Sequence, residues 1–175
     1  MRLVVVVIGA LLALCGTPAR SEELRNWFND PFFQLTAAIP GCQEPAGPRV
    51  SAAERQAQSH RRAEKGTTCW LAQEQDCEHP SAYAYDSSIA RSIQSMPLVA
   101  AQGTSLWVTV QGRVVYVEGC VAQEAQASQV EAAIRKLPHV QQAIAIVTAS
   151  PHAVLPYRVF NECFKIADPQ ERSRC

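Results

Sequence analysis

The side chains best suited to chemistry in this chain are its seven cysteines and four histidines. Cys69, Cys77 and His79 lie near one another and invite comparison with a metal site. Zinc sites, however, typically separate paired cysteines by about two to four residues and need four ligands. Cys69 and Cys77 stand farther apart than that, and the fourth ligand would have to be His60 or another cysteine. A thiol nucleophile would need a reduced cysteine with His60, His79, His139 or His152 as its base. Ser59-His60 and Ser81 belong to no G-x-S-x-G elbow. The expectation is a non-enzymatic chain with no catalytic residue, no metal and no cofactor. An exported hydrolase or thiol enzyme is the weakest of three functional readings.

The N-terminus sets the context for the cysteines. Arg2 precedes an apolar run over residues 3–14, too short to span a bilayer and followed by small residues. This is the pattern of a cleaved signal peptide. Cleavage after Ala19 or after Ser21 satisfies the small-x-small rule, and residues 1–21 are assigned to the signal. Leu14 before Cys15 does not suit a lipoprotein, so Cys15 is expected to leave with the signal. The predicted location is the periplasm. Six cysteines then remain: Cys42, Cys69, Cys77, Cys120, Cys163 and Cys175. An even number in an exported chain predicts disulfides, with fifteen connectivities open. The absence of a C-x-x-C motif removes a thioredoxin-like role.

Charge is balanced, with 16 basic and 16 acidic residues. Such a chain has no electrostatic footprint for nucleic acid. Glu64 interrupts the Arg61-Arg62-Lys65 cluster, which reads as a solvated helix face rather than a patch for anionic lipid. After the signal, no apolar stretch is long enough to anchor the chain, so it is not expected to be an integral membrane protein.

The elements that must position these residues divide the rest into three parts. Residues 22–85 form a cysteine-containing extension. It begins with Trp27, Phe28, Phe32 and Phe33, and Asn29-Asp30-Pro31 predicts a short helix over 31–38. Ser51 and Glu54 have capping-box spacing for a helix running to Lys65 and closed by Gly66. Its apolar positions are only Ala53, Ala57 and Ala63, which predicts a peripheral helix. Residues 86–149 form the main domain. Asp86 or Ser87 caps a helix with Ile89, Ile93 and Met96 on one face, ended by Pro97. Leu106, Val108 and Val110 alternate with Trp107, Thr109 and Gln111. After Gln111-Gly112, Val115, Val117, Gly119 and Val121 alternate with Val114, Tyr116, Glu118 and Cys120. This pattern is a hairpin. Ala127, Val130, Ile134 and Leu137 mark a second helix, and residues 140–147 complete the sheet. Residues 150–175 are a tail with a short helix expected over 157–167.

Two helices cover the sheet face of Leu106, Val108, Val110, Val115, Val117 and Val121. The opposite face, with Trp107, Val114, Tyr116 and Cys120, is too apolar to be solvated, so something covers it. The N-terminal segment is the favoured cover. Trp107 and Tyr116 are otherwise a candidate lipid or partner surface. Cys69–Cys77 would close a short loop at small entropic cost. Cys163–Cys175 is a local pair of the tail. If both form, Cys42–Cys120 remains and ties the extension across the sheet.

The order of these pieces resembles the BON domain, named for bacterial osmotic-shock and nodulation proteins. The matching pieces are the helix from Asp86 to Ile93, the strand ending at Gly112, Val115-x-Val117-x-Gly119-x-Val121, the helix from Ala127 to Leu137, and Pro138-His139-Val140. They cover about a third of the chain. His139 departs from the family's usual glycine. The segments NDPFFQ, IPGC and EKGTTCWLA are similar to a cysteine-bearing extension found before single BON domains. The resemblance implies an α+β fold of αββαβ order, with a three-stranded mixed sheet, two helices on one face and a disulfide-tied extension. It also implies an envelope protein that binds phospholipid or an envelope component and supports envelope integrity, without catalysis. The second reading is an accessory or structural subunit of an envelope or secretion assembly, with an envelope protein as partner.

Overall fold

The computed structural model describes residues 23–69 and 77–160. The signal segment, the Cys163–Cys175 pair and the tail beyond residue 160 lie outside the described residues. The structure is α+β, with a four-stranded mixed sheet in the order β1-β2-β3-β4. Its elements are β1 (Phe32–Ala37), α1 (Ala52–Gly66), α2 (Asp86–Ser95), β2 (Ser105–Gln111), β3 (Val114–Cys120), α3 (Ala125–Ile134) and β4 (Gln142–Thr148). The pairs β1–β2 and β2–β3 are antiparallel, and β4 lies parallel to β3 after the α3 crossover.

The expected three strands are therefore four. The stretch expected as a helix over 31–38 is β1, an edge strand paired to β2 with a register irregularity between Gln34 and Thr36. Pro31 is compatible with this, because proline is tolerated where an edge strand begins. Its carbonyl accepts from the Val110 amide at 3.0 Å. Phe32, Phe33, Leu35 and Thr36 are good strand residues, and pairing with β2 outweighs the weak local helix signal.

The core lies between the sheet and α2 and α3. Ile89, Ile93, Leu106, Val108, Val110, Val115, Val117, Val130 and Ile134 are all buried there. Gly119 faces Leu106 across the hairpin, with φ 139°. A Cβ at this position would stand 2.1 Å from the Ser105 carbonyl oxygen, so only glycine fits. The hairpin turn has positive φ at both central residues, Gly112 at 57° and Arg113 at 67°, as its strand twist requires.

Asp86 does not cap α2. Tyr85 occupies the cap position without a side-chain bond. The Asp86 carboxylate instead accepts the turn amides of Gly112 at 2.6 Å and Arg113 at 2.8 Å. Burial pushes its pKa up, and those two amides oppose the shift. His139 takes the left-handed conformation that glycine would adopt more easily, at φ 66°. It is held there by the Arg113 Nε bond to its carbonyl at 2.9 Å and by the Tyr85 ring at 4.6 Å. The outer edge of β4 is blunted from α3: Glu131 accepts from the Ala145 amide, and Arg135 donates to the Ala143 carbonyl.

Candidate functional site

The second sheet face is covered by residues of the extension and the start of the tail. Helix α1 begins with the expected capping box. Ser51 Oγ accepts from the Glu54 amide at 3.2 Å, and the Glu54 carboxylate accepts from the Ser51 amide at 2.8 Å. The side of α1 that meets the domain is not its alanines. Ala53, Ala57 and Ala63 are exposed, whereas Arg62 is buried and Gln58 and Lys65 are half-buried. The Arg61-Arg62-Lys65 cluster is thus split, with only Arg61 fully on the solvated side.

Arg62 anchors the helix. Its guanidinium forms a bidentate pair with Asp30 and lies 3.7 Å from the centre of the Phe28 ring. Asp30 also accepts from Gln111 Nε2 of β2 at 3.1 Å. Lys65 lays its stem along Gly112 and its ammonium 5.8 Å from the Tyr116 ring. Its burial pushes its pKa down, opposed by the Asp86 charge.

A second attachment lies at the other end of the face. Cys42 is bonded to Cys120, a residue of β3. The Tyr157 hydroxyl sits 3.7 Å from each of these sulfurs and donates to the Gln43 carbonyl. Residues 44–46 pair with residues 158–160 through the Ala46–Arg158 and Phe160–Glu44 backbone bonds. Arg49 stacks between the rings of Phe32 and Phe160. Residues 158–160 are thus paired in an extended bridge after a bend at Tyr157, not the start of the helix expected over 157–167.

Between the two attachments a cleft of about 230 Å³ remains open. Gln58 and Arg61 of α1 line one side, and Pro48 and Val50 line another. The floor is Thr109, Gln111, Tyr116 and Glu118 of the hairpin. Thr109 is only 5% exposed, and its Oγ1 has no hydrogen-bond partner. Burial pushes the Glu118 carboxyl up, with Arg158 opposing the shift. The Glu118 side chain makes no hydrogen bond or close ion pair among the described residues, although the Arg158 charge acts on it. A second cavity of about 210 Å³ adjoins Asp30, Arg62, Tyr83 and Asp86; these groups bond one another or the hairpin turn, while the buried Arg62 Nε has no partner.

Trp107, expected as part of an open surface if nothing covered the face, is 8% exposed. It offers no platform. Tyr116, its partner in that expectation, is half-buried and lines the cleft. Cys69 is bonded to Cys77, and Arg113 Nη1 donates towards both sulfurs at 3.4 and 3.0 Å. Cys42, Cys69, Cys77 and Cys120 are therefore all bonded and none offers a thiolate. Among the described residues no cluster of histidine, cysteine and carboxylate side chains could hold a metal ion.

No family model matches this chain, and no curated protein or solved structure is detectably similar to it.

Thr109, Gln111 and Glu118 were readable as outward-facing from strand alternation, but not as a site. Gln58 and Arg61 carry no signal in the sequence, because contacts with distant residues, Arg62 with Asp30 and Lys65 with Tyr116 among them, place the side of α1 that meets the sheet.

Proposed function

We propose that this chain is a non-enzymatic, exported envelope protein whose BON-like domain binds phospholipid or another envelope component. The observation that carries the reading is the element order α2-β2-β3-α3-β4, with Gly119 at its close approach and a left-handed turn at His139. The Cys42–Cys120 and Cys69–Cys77 bonds support export, since disulfides persist in oxidising compartments. The apolar run at residues 3–14 supports it independently. Among the described residues no helix is long and apolar enough to cross a membrane.

Flotation of the signal-free chain with anionic and with zwitterionic vesicles tests the lipid part. Association with either supports it, and association with neither removes it. A role as a structural subunit of an envelope assembly drew its support from an open sheet face. The extension covers that face and takes this support away; it also closes Trp107 as a lipid surface, so a lipid site would lie elsewhere.

A further inference from the structure

We propose that the Cys69–Cys77 disulfide is a redox-active site that exchanges with an external dithiol, Cys77 being the sulfur attacked and Cys69 the leaving thiolate, held by Arg113. This goes beyond the reading of the chain as an envelope binding module and depends on no ligand of that module.

One nitrogen of the Arg113 guanidinium reaches both sulfurs. Nη1 lies 3.0 Å from Cys77 Sγ and 3.4 Å from Cys69 Sγ. A cation beside a cysteine favours its thiolate, and a more stable thiolate is a better leaving group in disulfide exchange. The guanidinium is held in place, since its Nε donates to the His139 carbonyl and its carbon lies 5.6 Å from the centre of the Tyr85 ring. The two sulfurs differ in access: Cys69 is 4% exposed, whereas Cys77 is half-buried. An external thiolate therefore attacks Cys77 Sγ. The disulfide breaks, and its electron pair passes to Cys69 Sγ beside Arg113, leaving a mixed disulfide on Cys77. The second thiolate of the dithiol attacks the reductant's own sulfur in that mixed disulfide. The reductant departs as a disulfide, and Cys77 leaves as a thiolate that takes up one of the protons the dithiol gave up. Two electrons have then passed from the dithiol to the cysteine pair.

The other disulfide provides the contrast within the same chain. Cys42–Cys120 is met by neutral groups: the Tyr157 hydroxyl at 3.7 Å from both sulfurs, and the Ser105 carbonyl oxygen at 3.6 Å from Cys42 Sγ. A carbonyl oxygen opposes a thiolate, where a guanidinium favours one. The two bonds also differ in what their loss does to the fold. Cys69–Cys77 spans a separation of 8 and Cys42–Cys120 one of 78, so opening the first releases less loop entropy to the unfolded chain. Reduction of Cys69–Cys77 alone therefore leaves the sheet folded and the extension still tied to β3 through Cys120. It frees the link between the end of α1 and the segment leading into α2, beside the hairpin turn that carries Arg113.

The test equilibrates the full disulfide-bonded chain in dithiothreitol buffers of graded potential, followed by alkylation and mass mapping of each cysteine. Cys69 and Cys77 are expected to reach half-reduction at a potential at least about 30 mV above that of Cys42 and Cys120, a tenfold difference in equilibrium constant. Circular dichroism of the form reduced only at Cys69–Cys77 should remain native. With glutathione, a single thiol, the trapped adduct is expected on Cys77. Arg113→Met should make this pair about tenfold harder to reduce and leave Cys42–Cys120 unchanged, and Arg113→Lys, which keeps the charge, should restore most of the difference. The inference is overturned if the two pairs are reduced together or in the reverse order, if the adduct forms on Cys69, if reducing the pair unfolds the chain, or if Arg113→Met moves both pairs alike or neither. Should Arg113→Met not fold, the order of reduction and the adduct position in the wild type decide. None of these outcomes bears on vesicle association, so the lipid reading stands or falls separately.

Discussion

The Arg62 guanidinium is paired with the Asp30 carboxylate in a buried position, their side chains being only 8% and 3% exposed. This one contact joins α1 to the segment before β1. Through the Gln111 bond to Asp30 it also joins both to the hairpin. Together with the Lys65 contact on Tyr116, it places the side of α1 that faces the sheet.

Breaking this pair from one side should be costly, because the remaining charge stays buried. Asp30→Ala or Arg62→Ala is expected to lose about 3–5 kcal/mol of stability. The double variant should lose less than the sum of the two. Urea unfolding of the three variants measures the coupling, and additive losses would show that the pair acts as two independent groups.

The two disulfides should contribute unequally. Cys42–Cys120 bridges a sequence separation of 78 and Cys69–Cys77 one of 8. Loop-closure entropy assigns about 4.5 kcal/mol to the first and about 2.5 kcal/mol to the second. Replacing each pair by serines and comparing denaturant midpoints checks the order. A larger loss from the short loop would contradict the entropic account.

Burial raises the Glu118 pKa, with Arg158 opposing it and Tyr157 nearby. The folded chain therefore holds that proton to a higher pH than the unfolded chain. The resulting stability is fully present below the ordinary carboxylate pKa and is lost as pH rises through the raised value. Glu118→Gln should flatten this part of the stability curve and be at least as stable as wild type near neutral pH. Asp86, shifted in the same direction, retains its own slope. Unfolding midpoints from about pH 4 to about pH 8 give the comparison, and an unchanged curve would show that Glu118 titrates normally.

Gly119→Ala should be among the most damaging small substitutions. Its Cβ would meet the Ser105 carbonyl oxygen, in a backbone conformation that alanine avoids. A loss of at least about 3 kcal/mol is expected. Circular dichroism melting is sufficient, and a near-native melting temperature would mean that β2 and β3 can separate locally.

Much of the domain was legible because its signals are periodic. The alternation of Leu106, Val108 and Val110 with Trp107, Thr109 and Gln111 defined both strand faces, and Ser51 with Glu54 marked the start of α1. Phe32 to Ala37 was not legible. Six residues after a proline suit a short helix as well as a strand, and only pairing with β2 decides between them. The alanines of α1 misled for a related reason. Its buried side is built from Arg62, whose place inside depends on a carboxylate 32 positions away in sequence.

The sequence by itself determined the hairpin, the helices that pack on its valine face, and the need to cover the face of Trp107 and Tyr116; it offered Cys69–Cys77 as one pairing among fifteen, which the structure decided. These follow from residue type and spacing over a few positions, where local geometry dominates. Only the tertiary structure decided that β1 joins the sheet, that Asp86 holds the hairpin turn, and that Arg62 turns α1 inward. It also placed Thr109 and Glu118 opposite Gln58 and Arg61 across an open cleft. Those outcomes depend on contacts between segments far apart in the chain, where desolvation and charge pairing outweigh local preference.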